Sequence, residues 1–173
     1  LLRDFSMELL RREIHIVWWG NIRFERSFTP DLCRLLSAAG MVAITGGLEV
    51  ASDRLLQLMD KGITIEHAAQ SCQAFQAADI LVHAFPMYGF PTQTLQESLD
   101  AMEVVRQLFA TGLLDSAFWH RFVLTRHSEV YSRPEHYRIQ ASAPTGVFAT
   151  NDIPHQDPDG AHHDDLDGPL VQA

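Results

Sequence analysis

Short apolar runs rich in β-branched residues alternate along the chain with stretches whose apolar positions recur at helical spacing. "IHIVWWGNIRFE" (Ile14–Glu25) reads as a strand. "TPDLCRLLSAAG" (Thr29–Gly40) reads as a helix, with Thr29 as cap, Pro30 at its first position and Gly40 as its stop. "MVAITGG" (Met41–Gly47) is a short apolar strand of the kind found in parallel sheets covered on both faces. "SDRLLQLMDKG" predicts a short helix with Leu55, Leu58 and Met59 on one side and Gly62 as its stop. A longer helix follows from Thr64 to about Ala77. "ILVHAFPMYG" is the next buried strand, and Pro86 within it predicts an edge or a bulge. Thr94 and Glu97 then form a Thr-x-x-Glu capping box at the head of a helix that Gly112 ends. "FWHRFVLTRHS" is the last predicted strand, followed by a less regular stretch to Gln140.

Strand–helix alternation of this kind implies parallel βαβ units wound right-handed. The fold class is α/β, with about four βα units over residues 1–140. An eight-stranded (β/α) barrel takes about 250 residues, so the expectation is a partial TIM-like barrel or an open sheet. After Ser142 the periodicity stops. Residues 141–173, rich in Asp and His, are expected to be an irregular, disordered tail that buries too little apolar surface to offset ordering. Its His155, His162 and His163 are metal-ligand types, although such tracts are more often simply solvated.

Charge sharpens this division. The net charge is −9, but residues 151–173 hold six Asp and no Lys or Arg, leaving −3 on the first 150 residues. A nearly balanced body offers no basic face for nucleic acid. No apolar run approaches the roughly 18–20 residues that span a membrane, so a soluble, cytoplasmic protein is expected. The start lacks the long apolar core of a signal peptide and opens as though already inside a domain. Cys33 and Cys72, the only cysteines, both fall in helical patterns, as buried thiols of a reduced cytosol would; a disulfide is the alternative reading.

In parallel α/β folds ligands gather where strands run into helices. Four such mouths carry polar or glycine-rich residues: Asn21 with Arg23, "GGLEVASDR" (Gly46–Arg54), "GFPTQT" (Gly89–Thr94) and "TRHS" (Thr125–Ser128). Singly they say little. Glu49 reads equally as a ligand-binding acid or a helix-flanking one, and His83 in an apolar strand reads first as a core histidine. Lys61 is the only lysine beside twelve arginines. Nucleophile-elbow, Walker, zincin and dinucleotide glycine motifs are absent from the sequence.

In combination the order is distinctive. "GLEVASDRLLQLMDKGITIEHA" (Gly47–Ala68) followed by "VHAFPMYGFPTQTLQESLD" (Val82–Asp100) resembles the second half of the radical S-adenosylmethionine barrel. The branch it resembles has a cobalamin-binding domain upstream. That branch's pattern is a Gly-Leu-Glu-Ser-Gly-Ser-Asp-Arg turn, a Met-x-Lys-Gly-x-Thr helix end, and a strand closing in Gly-Phe-Pro-Gly-Glu-Thr. The resemblance covers roughly residues 5–140.

It implies that Gly89 brings backbone close to the adenine of S-adenosylmethionine, with Phe90 and Pro91 fixing the turn. It further implies Glu49 near the ribose hydroxyls, Lys61 near the cofactor's carboxylate and Ser52 in the polar turn beside them. Arg23, His83 and Tyr88 would face cofactor or substrate. Two departures stand out: Val50-Ala51 for Ser-Gly, and Thr92-Gln93 for Gly-Glu. The family's Cys-x-x-x-Cys-x-x-Cys for a [4Fe–4S] cluster is absent, as is the cobalamin motif Asp-x-His-x-x-Gly. The resemblance thus implies a fragment, inactive alone, whose partner is the N-terminal half of the same barrel and whose parent holds S-adenosylmethionine, the cluster and, in some parents, cobalamin. The competing reading is a degenerate, non-catalytic α/β interaction module.

Overall fold

The computed structural model describes residues 1–143 and 151–161. Helix α1 (Leu2–Arg11) leads into β1 (Trp18–Arg23), α2 (Pro30–Ala38), β2 (Met41–Glu49), α3 (Asp53–Leu58) and α4 (Ile65–Gln76). Then come β3 (Leu81–Tyr88), α5 (Leu95–Ala110), β4 (Ser116–Ala117), β5 (His120–Arg121), α6 (Glu129–Ser132), β6 (Gln140–Ala141) and β7 (His155–Gln156). Strands β1 to β4 pair in chain order, all parallel, and β5 continues along β3 beyond β4. This is a partial (β/α) barrel. Among the described residues no helix is long and apolar enough to cross a membrane.

The caps lie where the sequence puts them. Thr29, Thr64 and Thr94 each accept a backbone N–H at the head of α2, α4 and α5, and Glu97 completes the capping box on Thr94. One face of the sheet packs under these helices. Ile44, Leu48, Val82 and Ala84 meet Cys33 and Leu36 of α2, Cys72 and Phe75 of α4, and Val105 and Leu108 of α5. Gly46 belongs to this face because the tip of the Phe24 ring lies against it: a Cβ there would stand 2.4 Å from Phe24 Cζ.

Four expectations are corrected. The sheet is helix-covered on one face, and the other, carrying Trp19, Asn21, Arg23, Leu81, His83 and Phe85, is open. The first strand starts at Trp18, since Ile14–Val17 have no strand beside them: β2 begins only at Met41. The last strand is broken into β4 and β5, although Phe118 N–H and Phe122 N–H still donate to Ala84 O and Tyr88 O across the gap.

The tail is the fourth. Residues 151–161, expected to be disordered, dock on the body. Strand β7 pairs antiparallel with β6, Asp152 bridges to Thr125, and Ile153 is buried among Val50, Phe90 and Tyr137. Asp157 accepts the backbone N–H of Thr92 at 2.8 Å. One apolar residue, backbone bonds and a few side-chain contacts, among them the Arg138–Asp159 ion pair at 3.0 Å, hold it, a pattern without periodicity. His155 packs edge-on against Phe122. His162 and His163 lie outside the described residues.

Candidate functional site

At the carboxyl ends of β2, β3 and β5 the strands splay around a cavity of about 480 Å³. Met59, Met87, Phe90, Phe122 and Tyr137 give it an apolar and aromatic wall; Thr125 and Ser128 add hydroxyls, and Glu49 and Lys61 stand within its lining. A larger cavity, about 790 Å³, lies on the outer side between α2 and α4, lined by Arg26, His67 and Gln70. No strand residue lines it, whereas residues of β2, β3 and β5 line the smaller cavity, which is therefore the candidate.

Glu49 and Lys61, twelve residues apart, are partners. Lys61 Nζ donates to Glu49 Oε1 at 3.0 Å, with the side chains 30% and 21% exposed. A pair this close to solvent contributes on the order of 1 kcal/mol or less, so a ligand with complementary charges can displace it. Gly47 makes room for it. The Glu49 carboxylate folds back over that residue, where a Cβ would meet Oε1 at 2.7 Å.

The neighbouring turn at the end of β3 is built around a buried amide. Gln93 Oε1 accepts Gly89 N–H at 2.7 Å and Phe90 N–H at 3.3 Å, pinning the backbone where Gly89 takes φ 79°. Pro91 is buried within the same turn. Ala51 (φ 44°) and Thr92 (φ 67°) occupy the left-handed region at the two departures from the resembled pattern, both positions where that pattern has glycine. Such a conformation costs an L-residue roughly 1–2 kcal/mol, and the contacts around Thr92 explain why it persists. Arg54 donates to Thr92 Oγ1 at 3.1 Å and to Thr92 O at 2.9 Å, while Asp157 takes its N–H.

Not every expected residue reaches the cavity. Ser52 caps α3 and donates to Glu97 Oε1 at 3.1 Å, so it belongs to the scaffold of the turn. Tyr88 packs on the helix side against Met102 and Trp119, away from the open face. Arg23 and His83 do stand on the open face, His83 Nδ1 lying 2.7 Å from Ser116 Oγ. Met59, Phe122 and Tyr137 come together only through tertiary packing, and no local motif marks them.

Glu97 ties the two mouths together. Besides Ser52 and Thr94, it accepts Arg54 Nε at 2.7 Å and Nη2 at 2.6 Å. The Arg54 guanidinium holds its pKa down, from 4.5 to about 2. A lowered folded-state pKa means that the stabilisation is complete above about pH 4.5 and lost as pH falls toward 2. Glu97→Gln should therefore cost about 1–2 kcal/mol at neutral pH. The gap between wild type and variant, followed by urea denaturation, should close below pH 4.5; a gap independent of pH would contradict the linkage.

Comparison with known proteins adds the following. Over 104 residues the chain is 24% identical to the anaerobic magnesium-protoporphyrin IX monomethyl ester cyclase of Rubrivivax gelatinosus, covering 60% of this chain and 19% of that protein. In structure it matches the radical S-adenosylmethionine methyltransferase TsrM of Kitasatospora setae, solved with cobalamin and a [4Fe–4S] cluster bound. The TM-score is 0.66 at 16% identity, over 84% of this chain and 30% of the methyltransferase. This chain resembles the cobalamin branch of the radical S-adenosylmethionine superfamily. TsrM bound to tryptophan and an S-adenosylmethionine analogue matches equally, with TM-score 0.66 at 15% identity, over 84% and 29% of the two chains. At these identities the structural likeness speaks for the fold. No family model matches the chain.

The side chains present do not fit the cluster of those relatives. Cys33 and Cys72 lie in the core on α2 and α4, and burial pushes their thiols up to about 11 and about 12, far from the thiolate a cluster needs. Among the described residues no group of three or more His, Cys, Asp or Glu is placed to hold a metal ion. The cavity does fit S-adenosylmethionine in kind, offering aromatic and thioether walls to a base and opposite charges to a zwitterion.

Proposed function

We propose that this chain supplies the S-adenosylmethionine-binding strand ends of a radical-type barrel whose cluster-bearing half is a separate segment. The observation that carries the reading is the Glu49–Lys61 pair set in the lining of an aromatic cavity at the mouths of β2 and β3. Lys61 would release Glu49 to take the cofactor's carboxylate, and Glu49 would accept from the ribose hydroxyls. Phe90 would pack against the adenine, with the Gly89 backbone alongside. When bound and reduced by a low-potential cluster, S-adenosylmethionine supplies radical chemistry. The residues of this chain bind and orient it and keep water from the cavity. The N-terminal half of the barrel would cover the open sheet face and bring the cysteines; cobalamin, if the parent uses it, would be held outside this segment. Such clusters suit a reducing cytoplasm.

The test is S-adenosylmethionine affinity, measured by calorimetry on the protein that contains both barrel halves. Glu49→Ala and Lys61→Ala should each weaken binding about 10-fold, the loss of one charge-assisted contact. Unchanged affinity in both variants would sink the assignment. The missing thiolates favour a second reading, a non-catalytic module of the same fold. It prevails if the protein with both halves binds neither a cluster nor the cofactor.

A further inference from the structure

The turn that follows β3 carries two features that oppose its own geometry. Thr92 holds a left-handed φ of 67°, and Gln93 Nε2 is buried without a hydrogen-bond partner among the described residues. Left-handed backbone disfavours any residue with a Cβ, and a buried donor without an acceptor has lost its water for nothing. Opening the turn would relieve both. Contacts from elsewhere must therefore hold it shut.

Arg54 supplies one, reaching Thr92 from α3. Residues 151–161 supply the others. Thr92 N–H donates to Asp157 Oδ2 at 2.8 Å, and Ala161 N–H donates to Gln93 O at 2.9 Å. The Asp157 carboxylate is aimed by its own segment: Oδ1 accepts Gly160 N–H at 2.9 Å and Asp159 N–H at 3.2 Å. Gly160 leaves room for this, since a Cβ there would stand 2.1 Å from Asp157 Oδ2. Arg138 anchors the segment through Asp159.

The grip passes to the cofactor turn through Gln93. Its Oε1 fixes the N–H groups of Gly89 and Phe90, the backbone and ring proposed to meet the adenine. Thr92 and Gln93 are also where this chain departs from the Gly-Glu of the resembled pattern. The distant segment thus holds the two residues that make this turn need holding.

We infer that Asp157 is a positioning residue for the cofactor: residues 151–161 latch the β3 turn in its binding geometry, and without Asp157 the turn opens. The inference rests on the cofactor reading only for the identity of the ligand.

The experiment has two arms. In the 173-residue chain, hydrogen exchange at Gly89 and Phe90 N–H, followed by NMR, reports the turn with no ligand present. Asp157→Ala should speed both about 10-fold, the factor supplied by one hydrogen bond to a charged group. Gly160→Ala, whose Cβ would displace the carboxylate, should do the same. This exchange should be nearly independent of dilute urea, as for a local opening that exposes little surface.

In the protein with both barrel halves, Asp157→Ala should weaken S-adenosylmethionine binding about 5-fold by calorimetry, because apparent affinity falls with the fraction of competent turns. Thr92→Gly removes the conformational penalty. In that background Asp157→Ala should weaken binding less than 2-fold, whereas a contact that only stabilised the fold would leave affinity unchanged in both. Unchanged exchange at Gly89 and Phe90, or exchange that tracks global unfolding in urea, overturns the inference. So does cofactor affinity indifferent to Asp157→Ala, or a loss that Thr92→Gly does not reduce. If the protein with both halves binds no S-adenosylmethionine, the cofactor reading fails, and the exchange rates alone decide the latch.

Discussion

Ending the chain at Ala143 should lower its melting temperature by about 10 °C. Residues 151–161 bury Ile153, 3% exposed, in the core cluster that includes Val50, Phe90 and Tyr137. Removing a buried Ile of that kind costs about 2–4 kcal/mol. The same segment takes up Thr92 N–H through Asp157, and its Ala161 N–H donates to Gln93 O at 2.9 Å. Stripping the bond from Thr92, a buried residue already in a left-handed conformation, adds about 1 kcal/mol. A total of about 3–5 kcal/mol corresponds to roughly 10 °C for a domain of this size, at 2–4 °C per kcal/mol. Calorimetry on the truncated chain and on Ile153→Ala, which should show over half of the effect, is the check. An unchanged melting temperature would mean that the docked segment contributes nothing in solution.

The second large effect is expected at Gly46. An Ala there would place its Cβ 2.4, 2.5 and 2.9 Å from three carbons of the Phe24 ring, which is fully buried. Rings in a close-packed core have no room to retreat, so the strand or the ring must leave its place. Gly46→Ala should cost about 3 kcal/mol, the upper part of the range for overpacking. If the clash is the cause, Phe24→Leu in the same chain should recover part of the loss, with a coupling of at least about 1 kcal/mol in the double-mutant cycle. Additive costs would place the damage in backbone conformation instead.

Much of the fold is legible from local signals. Thr29 with Pro30, Thr64, and Thr94 with Glu97 mark the starts of three helices because caps act within one turn. The turns at Gly47–Arg54 and Gly89–Thr94 mark the site for a similar reason, since each strand end must turn sharply into a helix. What local pattern does not carry is the pairing between distant groups. Ser52 faces Glu97 across 45 residues, and Asp157 holds Thr92 across 65. Glu49 and Lys61 read as two separate ligand contacts, but in the fold they first satisfy each other. Ile153 is a lone apolar residue in a polar run, and only its place in the core cluster with Val50, Phe90, Leu124 and Tyr137 explains it. Helix α1 escapes notice because its apolar face is narrow, with Ser6 and Leu9 as its only buried residues.

The order of the sheet has a consequence in time. Strands β2 to β4 each pair with the strand made just before them, so each new strand on a growing chain finds its neighbour already present. The turn at Thr92 is different. Its N–H waits for Asp157, 65 residues later, an interval of roughly 3–13 s at synthesis rates of about 5–20 residues per second. For those seconds the nascent protein has its helix-packed sheet but an unfastened β3 mouth, and the cluster around Phe90 and Val50 lacks Ile153. That stretch of synthesis is when the chain is most exposed to wrong partners, and when a chaperone would find its apolar surface.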